Sequence, residues 1–155
     1  MNSNNIKYGE NQIQKLEKIL SDQGLHSALE FLNQQVSHRF TVIYRFDKDD
    51  VEIVDLIDKL NNAATSPSSR VPFLQSFCEV AIRDGGIITS NSALDKRFDA
   101  RPYQGIITSY VGLPLMHSGG GLYGTLCHID YDQQVISDDE FAFLQQAAQL
   151  MTRSL

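Results

Sequence analysis

Residues 124–130, Gly-Thr-Leu-Cys-His-Ile-Asp, set Cys127 beside His128, the one place where a thiol and an imidazole are adjacent. Such a pair can be a nucleophile with its base, part of a metal site, or two packed residues on a strand. Neighbours on a strand point to opposite faces, so Cys127 and His128 cannot act as one dyad if the segment is extended. A free cysteine then packs as a small hydrophobe. The second cysteine, Cys78, lies 49 positions away with no C-x-x-C spacing, which is neither a disulfide framework nor a zinc pattern. A metal site needs three or four convergent ligands, and His26, His38, His117 and His128 have no ligand spacing with each other or with the cysteines. No metal is expected. Gly119-Gly120-Gly121 lacks the following helix and Lys-Ser/Thr pair of a phosphate loop, and reads as a hairpin turn.

A different cluster sits at residues 95–98, Asp-Lys-Arg-Phe, inside a segment (91–105) with no clean period and turn residues throughout. Long irregular segments in compact domains are usually functional or mobile. Two readings stand side by side. Asp95 and Arg97 hold the loop by a local ion pair while Phe98 plugs the core, or the loop roofs a pocket and offers polar contacts to a ligand. Tyr44, Phe46, Tyr103 and Tyr110 would be aromatic walls of such a pocket, in keeping with the mostly apolar lining of ligand sites. They also have the bulk simply to fill it.

These residues need elements to position them. The first eight residues read as frayed, and residues 9–155 as one domain, a usual size for a chain of 155 residues. Ile13, Leu16, Ile19 and Leu20 recur at helical spacing up to Gly24, and Leu25, Leu29, Leu32 and Val36 mark a second helix over 25–37. Residues 40–47 form a β-rich strand with Phe40, Val42, Tyr44 and Phe46 on one face, and 51–58 its hairpin partner. After a small, polar loop (61–69), Pro72 suits the first turn of a helix that runs to Gly85-Gly86. Strands follow at 87–90, 107–116 and 121–130. Ser137 with Glu140 forms a capping box for a last helix carrying Phe141, Leu144, Ala148 and Met151. Short strands joined by hairpins, with helices at both ends covering one face, make an α+β domain around a mostly antiparallel sheet.

Composition narrows the partners. Thirteen basic against nineteen acidic residues, with no basic run, argue against nucleic acid. No apolar stretch approaches the ~20 residues that span a bilayer, and the polar N-terminus lacks the apolar core of a signal peptide. The expectation is a cytoplasmic protein with reduced thiols and no membrane or nucleic-acid partner.

Several motifs then fall into one order: Phe77-Cys78 on a helix, Asp95-Lys96-Arg97-Phe98 in a loop, Tyr110-Val111-Gly112-Leu113-Pro114-Leu115 on one strand, and Gly124 to Asp130 on the next. In that order they resemble a GAF domain over about residues 25–152, most closely a bacterial subgroup with these four motifs. The resemblance implies a GAF-like six-stranded antiparallel sheet, terminal helices on one face and a ligand pocket under loops on the other. It implies a sensing or regulatory role without catalysis, for a small ligand of unknown identity, with Tyr44, Phe46, Phe77, Cys78, Asp95, Arg97, Phe98, Tyr103 and Tyr110 as candidate contacts. Bilin-binding relatives attach chromophore through a Cys-His pair on a helical segment, unlike Cys127-His128. An enzymatic branch reduces free methionine sulfoxide with cysteines around the pocket; Cys78 falls near one such position, but the loop at 91–105 has no cysteine. A thiol reductase is therefore the alternative, and a dimerisation module with a filled pocket a third. The family's terminal helices also imply a homodimer, with Ile13, Leu16, Ile19 and Leu20 exceeding what one small sheet needs to bury, unless this segment folds back on its own chain.

Overall fold

A computed structural model describes residues 10–155; the stretch expected to fray lies outside these residues. Helices α1 (Glu10–Gln23) and α2 (Leu25–Gln34) are separated by Gly24, whose φ of 93° lets the chain turn between them. Strands β1 (Phe40–Asp47) and β2 (Asp50–Asp58) form the expected hairpin, and a short β3 (Arg70–Pro72) pairs with β2. Helix α3 (Phe77–Asp84), strands β4 (Ile87–Thr89), β5 (Ser109–Met116) and β6 (Leu122–Asp130), and helix α4 (Asp138–Met151) complete the order. The sheet is six-stranded in the order β3-β2-β1-β6-β5-β4, with neighbouring strands antiparallel throughout.

Period-two alternation divides the sheet into two faces. Ile43, Val111, Leu113, Leu115 and Leu126 point to a core built with Leu16 of α1, Leu29 and Leu32 of α2, and Phe143, Leu144 and Met151 of α4. Phe40, Val42, Tyr44, Tyr110, Cys127 and Ile129 point to the opposite face, where α3 and the irregular loop supply Phe77, Cys78, Val80, Ala81 and Phe98. Cys127 and His128 thus face opposite layers, as the strand argument requires.

Three sequence expectations change. Pro72 closes β3 and does not open a helix: its extended ψ of 131° leads into a short 3-10 turn, and α3 begins after Ser76, whose Oγ accepts from the Glu79 amide at 3.3 Å. Helix α2 ends at Gln34, three residues early, because Asn33 turns its side chain away to donate to Thr41 Oγ1 (2.9 Å) and the His38 carbonyl (3.2 Å). In α4 the inward stripe is Phe143, Leu144, Ala147, Ala148 and Met151, with Phe141 only half-buried. The Ser137 cap is present, its Oγ accepting from the Glu140 amide at 3.1 Å.

Leu16 has no solvent exposure within the single chain, and Ile13, Ile19 and Leu20 pack half-buried on the same core. Within the chain α2 and α4 thus cover Leu16, while Ile13, Ile19 and Leu20 of the same stripe stay partly exposed.

Candidate functional site

Between the sheet and the loops lies a cavity of about 110 Å³. Its floor is made by strand residues Tyr44, Val51, Val71, Tyr110 and Ile129, one wall by Ser76, Phe77 and Cys78 at the start of α3, and its mouth by Ser66-Pro67-Ser68, Tyr103, Ile106 and Tyr131. Among the described residues no charged side chain lines it.

The mouth is fixed by tyrosines. Tyr103 and Ser68 share a hydroxyl–hydroxyl hydrogen bond of 2.8 Å, and Tyr131 donates to the Thr65 carbonyl at 2.9 Å. Arg39 anchors the same loop from outside, binding Asp58 bidentately (2.7 and 3.0 Å) and donating to Thr65 Oγ1 at 2.7 Å. The paired Arg39 guanidinium holds Asp58 down at about 2, against the cost of burial. Tyr44 differs from these two tyrosines. Its side chain is buried, burial pushes its phenol well up, and among the described residues its hydroxyl has no hydrogen-bond partner.

At the inner end, four groups form a closed circuit. Cys127 Sγ donates to Thr125 Oγ1 (3.3 Å), which lies 3.1 Å from Cys78 Sγ; Tyr110 Oη lies 3.1 Å from Cys127 Sγ and 3.8 Å from Cys78 Sγ. Strand geometry puts them there. Thr125 and Cys127 are two apart on β6 and share a face, while Gly112 pairs with Cys127 across the ladder. The Tyr110 ring folds directly over Gly112, where even a methyl group would overlap it. The tyrosine of the Tyr-x-Gly motif therefore needs its glycine in order to reach Cys127. Both cysteines are free and buried.

Of the residues proposed from sequence, Tyr44, Phe77, Cys78, Tyr103 and Tyr110 line the cavity. Phe98 stands behind it, fully buried with its ring 4.4 Å from that of Phe77 and 6.3 Å from that of Tyr110. Phe46 sits near the end of β1 and does not line the cavity; its ring packs edge-on against Phe73 at 4.9 Å. Asp95 and Arg97 lie outside the cavity: Arg97 spends its guanidinium on Asp95 (2.7 and 2.9 Å) and on the Ile88 carbonyl (2.9 Å), which pins the loop to β4. That bond holds Asp95 below the usual carboxylate range. Sequence reasoning missed Ser66, Ser68, Ser76 and Tyr131, and with them the Cys78–Thr125–Cys127 cluster. For Thr125 and Tyr131 the signal was present, since each lies an even number of residues from Cys127 on the same alternation. Among the described residues no group of three or more His, Cys, Asp or Glu is placed to hold a metal ion.

Comparison with solved structures gives the same fold at low identity. A free methionine-R-sulfoxide reductase from Neisseria meningitidis, solved with its substrate, has a TM-score of 0.75 at 14% identity over 99% of this chain and 91% of that one. The GAF domain of an Acinetobacter phosphoenolpyruvate-protein phosphotransferase has 0.74 at 15% over 99% and 93%. The chromophore-binding domain of Stigmatella aurantiaca phytochrome P1 has 0.74 at 12% over 97% of this chain and 60% of that one. No curated protein matches the sequence. The GAF domain family model matches residues 22–155, from the end of α1 to the last residue, and the chain belongs to the GAF domain family.

Proposed function

We propose that this domain is a non-enzymatic sensor that binds a small, uncharged, largely apolar molecule in the cavity, with one hydrogen-bonding group directed to Tyr44. The unpartnered Tyr44 hydroxyl carries this reading. Tyr44 lines the cavity and its hydroxyl has no partner among the described residues, so a ligand group with a donor or acceptor would gain a hydrogen bond of about 1 kcal/mol there. Size and polarity narrow the class. A cavity of about 110 Å³ is below the roughly 150 Å³ that holds benzene. A bilin or haem is far too large unless the mouth opens. The uncharged lining disfavours zwitterions and phosphates, because a buried charge without a partner is costly. The same argument weighs against an amino-acid sulfoxide substrate, although reductases share the fold. We place the protein's work in a reducing cytoplasm, which keeps its two thiols free.

The test is ligand-observed NMR against a library of neutral fragments of a few heavy atoms. Hits should be lost in Ile107→Trp, which fills the cavity. Those with a hydrogen-bonding group should weaken about tenfold in Tyr44→Phe, equivalent to ~1.4 kcal/mol. Hits that survive Ile107→Trp, or a preference for charged fragments, would overturn the reading.

A further inference from the structure

We propose that Cys78 and Cys127 are a redox-active dithiol, with Cys78 the attacking sulfur and Cys127 the resolving one, which closes to a disulfide when hydrogen peroxide enters the cavity. The inference goes beyond ligand sensing and rests on that reading only in taking the cavity to admit small molecules.

The two thiols have different surroundings. Cys78 lines the cavity and sits in the first turn of α3, behind the Ser76 cap, where the exposed amides of a helix start favour a thiolate. Cys127 is completely buried on the central strand β6, away from the cavity lining. The hydrogen-bond circuit has a direction. Cys127 gives its proton to Thr125 Oγ1, which leaves the Thr125 hydroxyl hydrogen for Cys78 Sγ, and Tyr110 Oη also donates to Cys78 Sγ. Cys78 is the acceptor at which the circuit ends, so its own proton is the one not required. Consistent with this, the neighbouring Cys127 thiol, and after it the Thr125 and Tyr110 hydroxyls, hold Cys78 below the ordinary thiol range despite burial. Burial pushes Cys127 well above it. A thiolate facing the entry and a protonated thiol behind it is the division of labour a two-cysteine oxidation needs.

The chemistry balances. The Cys78 thiolate attacks one peroxide oxygen, the O–O bond breaks, and hydroxide leaves, giving a sulfenic acid on Cys78. The Cys127 sulfur then attacks the Cys78 sulfur, the S–O bond breaks, and the sulfenic oxygen leaves as water with the proton from Cys127. Two thiols and one peroxide become one disulfide and two waters. Both sulfurs already lie within 3.3 Å of the Thr125 hydroxyl, so the second step needs side-chain rotation and no partner chain. Reduction by a small dithiol restores the pair. The cavity size adds selectivity, because peroxide fits where a bulky maleimide does not.

The full chain is exposed to hydrogen peroxide in native buffer, quenched with an alkylating agent under denaturant, and weighed intact and after digestion. The wild type should lose two hydrogen atoms per chain, show a peptide joining Cys78 to Cys127, and regain its mass with dithiothreitol. Cys127→Ser, unfolded in the presence of dimedone after the peroxide step, should carry dimedone on Cys78, and Cys78→Ser treated alike should carry none. Wild-type chains that keep both thiols under peroxide that oxidises free cysteine, or that cross-link only between chains, would overturn the proposal. So would dimedone on Cys127 in Cys78→Ser. The wild-type measurement needs no variant to fold. Fragment binding measured on the same sample under reductant separates the two proposals, since binding without oxidation strikes only the thiol chemistry.

Discussion

His38 lies beneath the sheet with no solvent exposure, its ring 5.8 Å from that of His128, and among the described residues neither of its ring nitrogens has a hydrogen-bond partner. His128 accepts or donates one bond, to Thr41 Oγ1 at 2.8 Å. Burial lowers His38 to about 4, offset in part by Asp130 and reinforced by Lys59; burial, His38 and Lys59 hold His128 well below its usual value. Both rings are neutral in the native state at pH 7. An unfolded chain takes protons at these rings as the pH falls through about 6.5, while native His38 takes one only near 4. Stability is therefore fully present above pH 6.5 and is lost on acidification, by up to ~1.4 kcal/mol per pH unit for each ring. Thermal melts between pH 7 and 5 should show this fall. Because His38 satisfies neither ring nitrogen, His38→Leu removes a penalty along with the proton site. It should halve the pH slope and raise the melting temperature at pH 5. An unchanged slope in His38→Leu would assign the acid sensitivity to other groups.

At the scale of elements, β5 and β6 are where packing and site become one question. Gly112 gives the Tyr110 ring its resting place, and the ring in turn covers the two thiols. Gly112→Ala should lift the ring, costing about 1–3 kcal/mol as overpacking does. It should also raise the rate at which Cys78 and Cys127 react with a small thiol reagent before unfolding. A stability loss with unchanged reactivity would mean that Tyr110 fills space without shielding sulfur. The strands themselves were legible, because β-branched and aromatic residues alternating with small ones leave little choice of period. Strand β3 was not: three residues, one of them proline, carry no alternation, and only the edge of β2 makes Arg70–Pro72 a strand. The start of α3 was misread for the same reason, proline being as good at closing an edge strand as at opening a helix. The thiol cluster was invisible because it depends on register and on where α3 lands on the sheet. Neither quantity is written in the spacing of residues 78 and 127. Asp95 and Arg97 were recognisable as a pair, but whether a loop pair turns toward a cavity or toward β4 is decided by the backbone carbonyl of Ile88.

For the molecule as a whole, the sheet divides its labour between faces. One face is sealed by three helices whose outward surface is polar, with Gln145, Gln146 and Gln149 exposed along α4 and Lys15, Glu17 and Lys18 along α1. The other holds the cavity, the thiols and the loops that close over them. No helix among the described residues is long and apolar enough to cross a membrane. Helix α1 is the swing element in this arrangement, since its apolar stripe can serve its own chain or a second copy. Leu16 at zero exposure, touching the cluster that contains Leu29, Leu32 and Met151, puts that stripe to intramolecular use. The consequence is measurable. Leu16→Ala should cost about 2–5 kcal/mol as a core truncation, or roughly 5–20 °C of melting temperature for a domain of this size. Light scattering after size exclusion should meanwhile give the same mass for variant and wild type. If the stripe were instead the seam of a homodimer, the variant would shift to a smaller mass with little loss of melting temperature once dilution had already separated the wild-type subunits. Stability lost at constant mass makes α1 part of the domain's core.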